Sequence, residues 1–148
     1  MRLPTTILVP TDFSDHSAYA LDYAVELAAK LGANIHVLSA IGIPALGVPE
    51  LGVAITSSVM DALVKDNQAG LDAIVASHPG APIEIVMRTG DARDVIVNTA
   101  VEVGADLIVM GTHGRRGLRR ALLGSVAESV LRHAPCPVLL MRSPPEPA

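Results

Sequence analysis

Short aliphatic runs alternate with stretches of helical period along the whole chain, and this alternation narrows the accessible folds most. The runs lie at residues 6–10, 34–41, 82–89, 107–111 and 138–142; their Val, Ile and Leu content predicts strands. The first intervening stretch has Ser14 as a helix cap, Asp15 in its first turn, an apolar stripe of Ala18, Leu21, Val25 and Ala28, and Gly32 as a stop. A second helix is predicted over 57–77, with Gly70 a weak position. Asp91 caps a third helix that runs through Val103 to Gly104, and a fourth covers 125–134. Strand–helix alternation with right-handed crossovers gives an α/β fold, one parallel sheet with helices on both faces. The 148 residues allow one domain, placed at 1–143, and the proline-rich tail 144–148 is expected to be disordered.

Half of the residues are hydrophobic, yet the aromatic ones are only Phe13, Tyr19 and Tyr23. The core must therefore be aliphatic, as strands buried on both faces require. A net charge of −4 argues against a general nucleic-acid or anionic-membrane surface. The lone Cys136, between Pro135 and Pro137, reads as a small buried hydrophobe. Met1-Arg2-Leu3-Pro4 leads straight into a strand, and no long apolar span follows, so a soluble, cytoplasmic protein is expected. Residues 42–55 hold three glycines and two prolines among scattered aliphatics and read as a long loop, a lid over any ligand.

Chemistry concentrates at 106–126. The strand Leu107-Ile108-Val109-Met110 ends in Gly111-Thr112-His113-Gly114, and Gly124-Ser125-Val126 opens a helix. A strand that ends in a glycine turn and feeds a helix start can hold phosphate, through amides that lack intrahelical partners and the positive end of the helix dipole. The spacing Gly-x-x-Gly-x9-Gly-Ser is not a P-loop, because no Gly-Lys-Ser/Thr follows. Each glycine alone reads as a turn; the set reads as a nucleotide site. Ser125 with Glu128 also has the spacing of a capping box. Asp12, at the end of the first strand, is open between an exposed loop acid, a helix N-terminal charge and a ribose or metal contact.

The glycine motif, together with Ile7-Leu8-Val9-Pro10-Thr11-Asp12-Phe13-Ser14 and Ala134-Pro135-Cys136-Pro137-Val138-Leu139-Leu140, resembles the universal stress protein family and its ATP-binding branch, over nearly the whole chain. The resemblance implies a Rossmann-like, doubly wound, five-stranded parallel sheet ordered 3-2-1-4-5. Strands one and four would then flank the switch point where such sheets bind ligands. It further implies ATP, with Mg2+, as the bound cofactor. Gly114, Gly124, Ser125 and Val126 would hold the phosphates, and Gly111, after Met110, would lie under the ribose. Pro10, Thr11 and Asp12 would contact the nucleotide, and Ala40 would meet the adenine. Where the family often carries proline after the third strand, this chain has Ala92, which predicts a softer helix start.

Arg115, Arg116, Arg119 and Arg120 read equally as a solvated face and as neutralisers of a triphosphate. His113 reads as a turn residue, and His16, His36, His78 and His133 have no metal-ligand spacing. Three classes of function follow: an ATP-binding regulatory protein of the stress response, a slow ATPase on the same site, and a nucleotide-free interaction module. The intact motif disfavours the last. The lack of an assignable general base, paired carboxylates or Walker lysine disfavours the second. In the implied order the last strand is an apolar edge, blunted only by Arg142 and the prolines after it. A homodimer through residues 137–142, from Pro137 to Arg142, is expected.

Overall fold

A computed structural model describes residues 2–42, 49–113 and 123–142, with 49–56 as helical backbone. In chain order it contains β1 (Thr6–Thr11), α1 (Asp15–Leu31), β2 (Asn34–Ile41), α2 (Pro49–Ser77) and β3 (Ile83–Thr89). There follow α3 (Ala92–Val103), β4 (Leu107–Gly111), α4 (Ser125–His133) and β5 (Val138–Met141). The five strands form one sheet in the order β3-β2-β1-β4-β5. Every neighbouring pair is parallel, with Ile7 opposite Ile35 and Leu107, and Ile108 opposite Val138. This is the doubly wound α/β sheet expected, and its order reverses between β1 and β4.

Period-two alternation along the strands feeds two cores. Ile7, Val9, Ile35, Val37 and Val109 meet Ala20, Leu21, Ala24 and Ala28 of α1 and Leu71 of α2. Leu8, Leu38, Ile108 and Met110 meet Val95, Ile96 and Ala100 of α3 and Ala127 and Val130 of α4. Small alanines along α1 let the helix approach the sheet closely. Leu71 is fully buried, and trimming it to alanine would cost about 2–5 kcal/mol.

The helices begin and end for local reasons. Ser14 Oγ accepts the Ser17 amide at 3.2 Å, and Asp91 Oδ1 accepts the Arg93 amide at 2.9 Å. Gly32 and Gly104, both at φ 66, close α1 and α3 in the left-handed conformation that glycine adopts freely. Ala92 opens α3 directly behind its N-cap, Asp91.

One expectation is corrected. α2 starts at Pro49, so 49–55 are helix and not loop. Proline has no amide to waste in a first helical turn and a φ already set for it, and Gly52 costs only about 1 kcal/mol within a long helix. The remaining part of that predicted loop, 43–48, lies outside the described residues, as does the tail 144–148. Gly70 also proves to have a use. A β-carbon there would stand 2.6 Å from Cε1 of Phe13, so the glycine is the seat of that ring. No described helix is long and apolar enough to cross a membrane.

Candidate functional site

At the carboxyl edge of the sheet, where β1 and β4 diverge, lies a cleft of about 460 Å³. Pro10, Thr11 and Asp12 reach it from the end of β1, Ala40 from β2, and Met110 and Gly111 from β4. Gly124, Ser125 and Val126 close it at the start of α4. Sequence-distant residues that were read as one site therefore share one cavity. Gly114 and Arg115 lie outside the described residues, as do Arg116, Arg119 and Arg120.

The cleft also takes residues that the sequence reading did not assign to the site. Ala92 and Ile96 of α3 form a wall with Leu38 of β2, and Ser17, Thr112, His113, Leu123 and Ala127 complete the lining. The signal for Ala92 and Ile96 was an i, i+4 apolar pair in the first turns of a helix that starts at the carboxyl edge. Nothing in the sequence separated that pair from ordinary core. His113, read as a turn residue, lies on the cleft, with Nδ1 3.1 Å from Thr112 Oγ1. Its ring centroid stands 6.3 Å from that of His16.

Two kinds of surface meet here. Leu38, Ala40, Ala92, Ile96 and Met110 make an apolar slot without a side-chain donor or acceptor, suited to a flat ring. The start of α4 supplies the opposite chemistry. Its N-cap is Gly124, which has no side chain with which to cap it. The predicted capping box is thus corrected: Ser125 is the first helical residue and stands one position too late to cap, while the Glu128 amide bonds the Gly124 carbonyl at 3.0 Å. The amides of Ser125, Val126 and Ala127 have no acceptor within the helix, and the dipole adds partial positive charge. An anion is the natural complement.

The glycines act through packing as much as through openness. A β-carbon at Gly111 would meet His16 Cβ and its carbonyl oxygen at 3.3 Å, so the bare backbone lets α1 approach β4. At Gly124 it would meet the Thr112 carbonyl oxygen at 3.1 Å. The end of β1 is locked in turn. Asp12 Oδ1 accepts the Ser14 amide at 3.0 Å, and Thr11 Oγ1 accepts the Phe13 amide at 3.0 Å. Thr11 Oγ1 also lies 3.1 Å from Ser17 Oγ, which donates to the Ser14 carbonyl at 2.9 Å. Phe13 between them has φ 63, a conformation that costs a non-glycine residue roughly 1–3 kcal/mol.

Among the described residues, no group of three His, Cys, Asp or Glu side chains could hold a metal ion. Cys136 packs against the α3–α4 core, and burial pushes its thiol up, away from the reactive thiolate.

Residues 4–142 match the model of the universal stress protein family. The chain belongs to that family. A universal stress protein of Methanocaldococcus jannaschii is 37% identical over 93% of this chain and 82% of its own. The solved universal stress protein UspA from Lactobacillus plantarum is 30% identical, with a TM-score of 0.80 over 93% of this chain and 97% of its own. Another universal stress protein, solved in complex with cAMP, is 29% identical, with a TM-score of 0.61 over 94% of this chain and 97% of its own. Family membership and the shared sheet agree, since β1 and β4 carry the motifs that bear the resemblance.

Proposed function

We propose that this universal stress protein binds ATP with Mg2+ in the cleft between β1 and β4, and acts in the stress response as a nucleotide-dependent regulatory or interaction protein. One observation carries the reading: the start of α4, whose first amides have no acceptor within the helix, and the apolar slot of Ala40, Ala92 and Ile96 belong to one cavity. A nucleotide has that polarity, an anionic chain at one end and a flat base at the other. The volume of about 460 Å³ falls in the range of roughly 300–1,000 Å³ usual for ligand clefts. The family member solved with cAMP supports an adenine nucleotide as the ligand class.

Asp12, which lines the cleft, would meet ribose hydroxyls or the metal. A single carboxylate among the described lining residues suits a Mg2+ that arrives on the phosphates and keeps most of its waters, and not a metal held by a protein cage. The protein's share of the work is then to orient the nucleotide and shield its base. A homodimer through β5, with the clefts outside the strand pair, completes the proposal.

Calorimetry with ATP and MgCl2, joined to mass spectrometry of ligand released from denatured protein, tests the site. Saturable heat and a released adenine nucleotide are expected. No heat and no thermal shift at millimolar ATP would sink the claim.

A further inference from the structure

We infer that Phe13, seated on Gly70 of α2, is a positioning residue that aims Asp12 into the cleft; the ligand part of this inference rests on the nucleotide reading above. The turn that presents Asp12 closes when its Oδ1 accepts the Ser14 amide at 3.0 Å. That turn passes through Phe13 at φ 63, the single positive φ outside glycine among the described residues. Glycine would sit there without strain, so a phenylalanine persists only where its surroundings over-determine it.

The surroundings are visible. A β-carbon on Gly70 would fall 2.6, 2.9 and 3.0 Å from Cε1, Cζ and Cδ1 of Phe13, so the ring lies flat on bare helix backbone. The seat itself is anchored. One turn earlier on α2, Asn67 accepts a hydrogen bond from Ser39 of β2 and donates to the Leu63 carbonyl at 2.8 Å. Leu71, next to Gly70, is buried in the core. The Phe13 amide is held by Thr11 Oγ1 at 3.0 Å, which fixes the other end of the ring's lever. Neither Phe13 nor Gly70 lines the cleft. A change at either reaches a ligand indirectly, through the Thr11–Ser14 segment that carries Asp12.

The test uses Gly70→Ala, Phe13→Gly and the double variant of the full chain. Without nucleotide, hydrogen exchange of the Ser14 amide reports the turn directly. Exchange should quicken in Gly70→Ala, whose β-carbon displaces the ring, and in Phe13→Gly, which lacks it. With ATP and MgCl2, each single variant should bind about tenfold more weakly, with the two effects coupled as is usual between residues in contact. The double variant should be no worse than Phe13→Gly alone, since the added β-carbon no longer has a ring to meet. Unchanged Ser14 exchange in Gly70→Ala, or effects that simply add in the double variant, would overturn the inference. Were the wild type not to bind ATP, the nucleotide reading would fall, and Ser14 exchange would still decide whether the Phe13–Gly70 contact holds the turn.

Discussion

The Gly124 amide donates to the Thr112 carbonyl at 2.7 Å, and a β-carbon on Gly124 would stand 3.1 Å from that same oxygen. The hydrogen bond ties the start of α4 to the end of β4, and the missing side chain is what permits it. The motif alone suggests that Gly124→Val would block phosphate and leave the fold intact. The contact says otherwise: the branched side chain presses on the turn first. We predict that Gly124→Val lowers stability by about 1–3 kcal/mol, as overpacking does, and weakens ATP binding as well. Thermal melts with and without ATP check this; loss of binding at an unchanged Tm would restore the simpler reading.

Filling the apolar slot should separate binding from stability. Ala40 lines the cleft from the end of β2, so in Ala40→Phe the ring takes the place of the base. Calorimetry should show no ATP heat, while far-UV circular dichroism stays that of the wild type. Normal binding would move the base elsewhere.

The doubly wound sheet was legible because its evidence is local. Aliphatic runs near 7–9, 35–38 and 107–110 report burial on both faces, and Ser14, Gly32, Asp91 and Gly104 cap their helices as they read. The convergence of Asp12 with Gly111 and Gly124 followed from strand order, which the family resemblance supplied. What escaped depends on three-dimensional neighbours. Ala92 and Ile96 look like any helix stripe until β2 lies opposite them. Gly70 reads as a helix defect until the Phe13 ring is seen on it. The helical 49–55 was missed because glycine and proline, read singly, mark loops, whereas Pro49 stands at a first turn.

A histidine links two helices and should confer a pH dependence. His78 Nε2 lies 2.8 Å from Asp22 Oδ1 of α1, and Nδ1 lies 2.9 Å from the Ile74 carbonyl oxygen. Both partners are acceptors, and only the imidazolium can donate from both nitrogens. The Asp22 carboxylate, and then the Ile74 carbonyl, raise the His78 pKa above 6.5. A raised folded-state pKa means that the stabilisation is complete below 6.5 and is lost as pH rises through the folded value. Melts from pH 5 to 9 should therefore show His78→Gln least stable relative to wild type at acid pH. A gap that widens with pH would contradict this.

The cap of α3 should show the opposite sign. The Arg93 guanidinium meets both oxygens of Asp91 at 2.9 Å, and with the Arg93 amide it lowers the Asp91 pKa from 3.8 to about 2. A depressed carboxylate contributes stability above its unfolded value and loses it as pH falls toward about 2. The pair is exposed, so the effect is small. Asp91→Asn keeps a capping oxygen but not the pair, so it should be slightly less stable than the wild type at pH 7 and converge with it as pH falls, losing this acid-side slope. Equal slopes in both proteins below pH 4 would show that the pair contributes nothing.

The sheet ends at β5, which pairs only with β4 among the described strands. All four of its residues are partly exposed and apolar, an edge that invites pairing with another chain. Two such edges joined antiparallel about a two-fold axis would give the proposed homodimer. Which residues face outward follows from parity. The carbonyls of Pro137 and Met141 accept from Ile108 of β4 and from Thr112 just beyond it, so residue 139, in phase with them, also points its amide at β4. Leu139→Pro, the natural choice from sequence, would thus damage the subunit's own sheet. Val138 and Leu140 present the outward amides. Leu140→Pro removes an outward donor and leaves the β4 ladder whole. Light scattering at tens of micromolar should find a dimer for the wild type and a monomer of unchanged circular dichroism for Leu140→Pro. A monomeric wild type, or a variant that stays dimeric, would remove β5 from the interface.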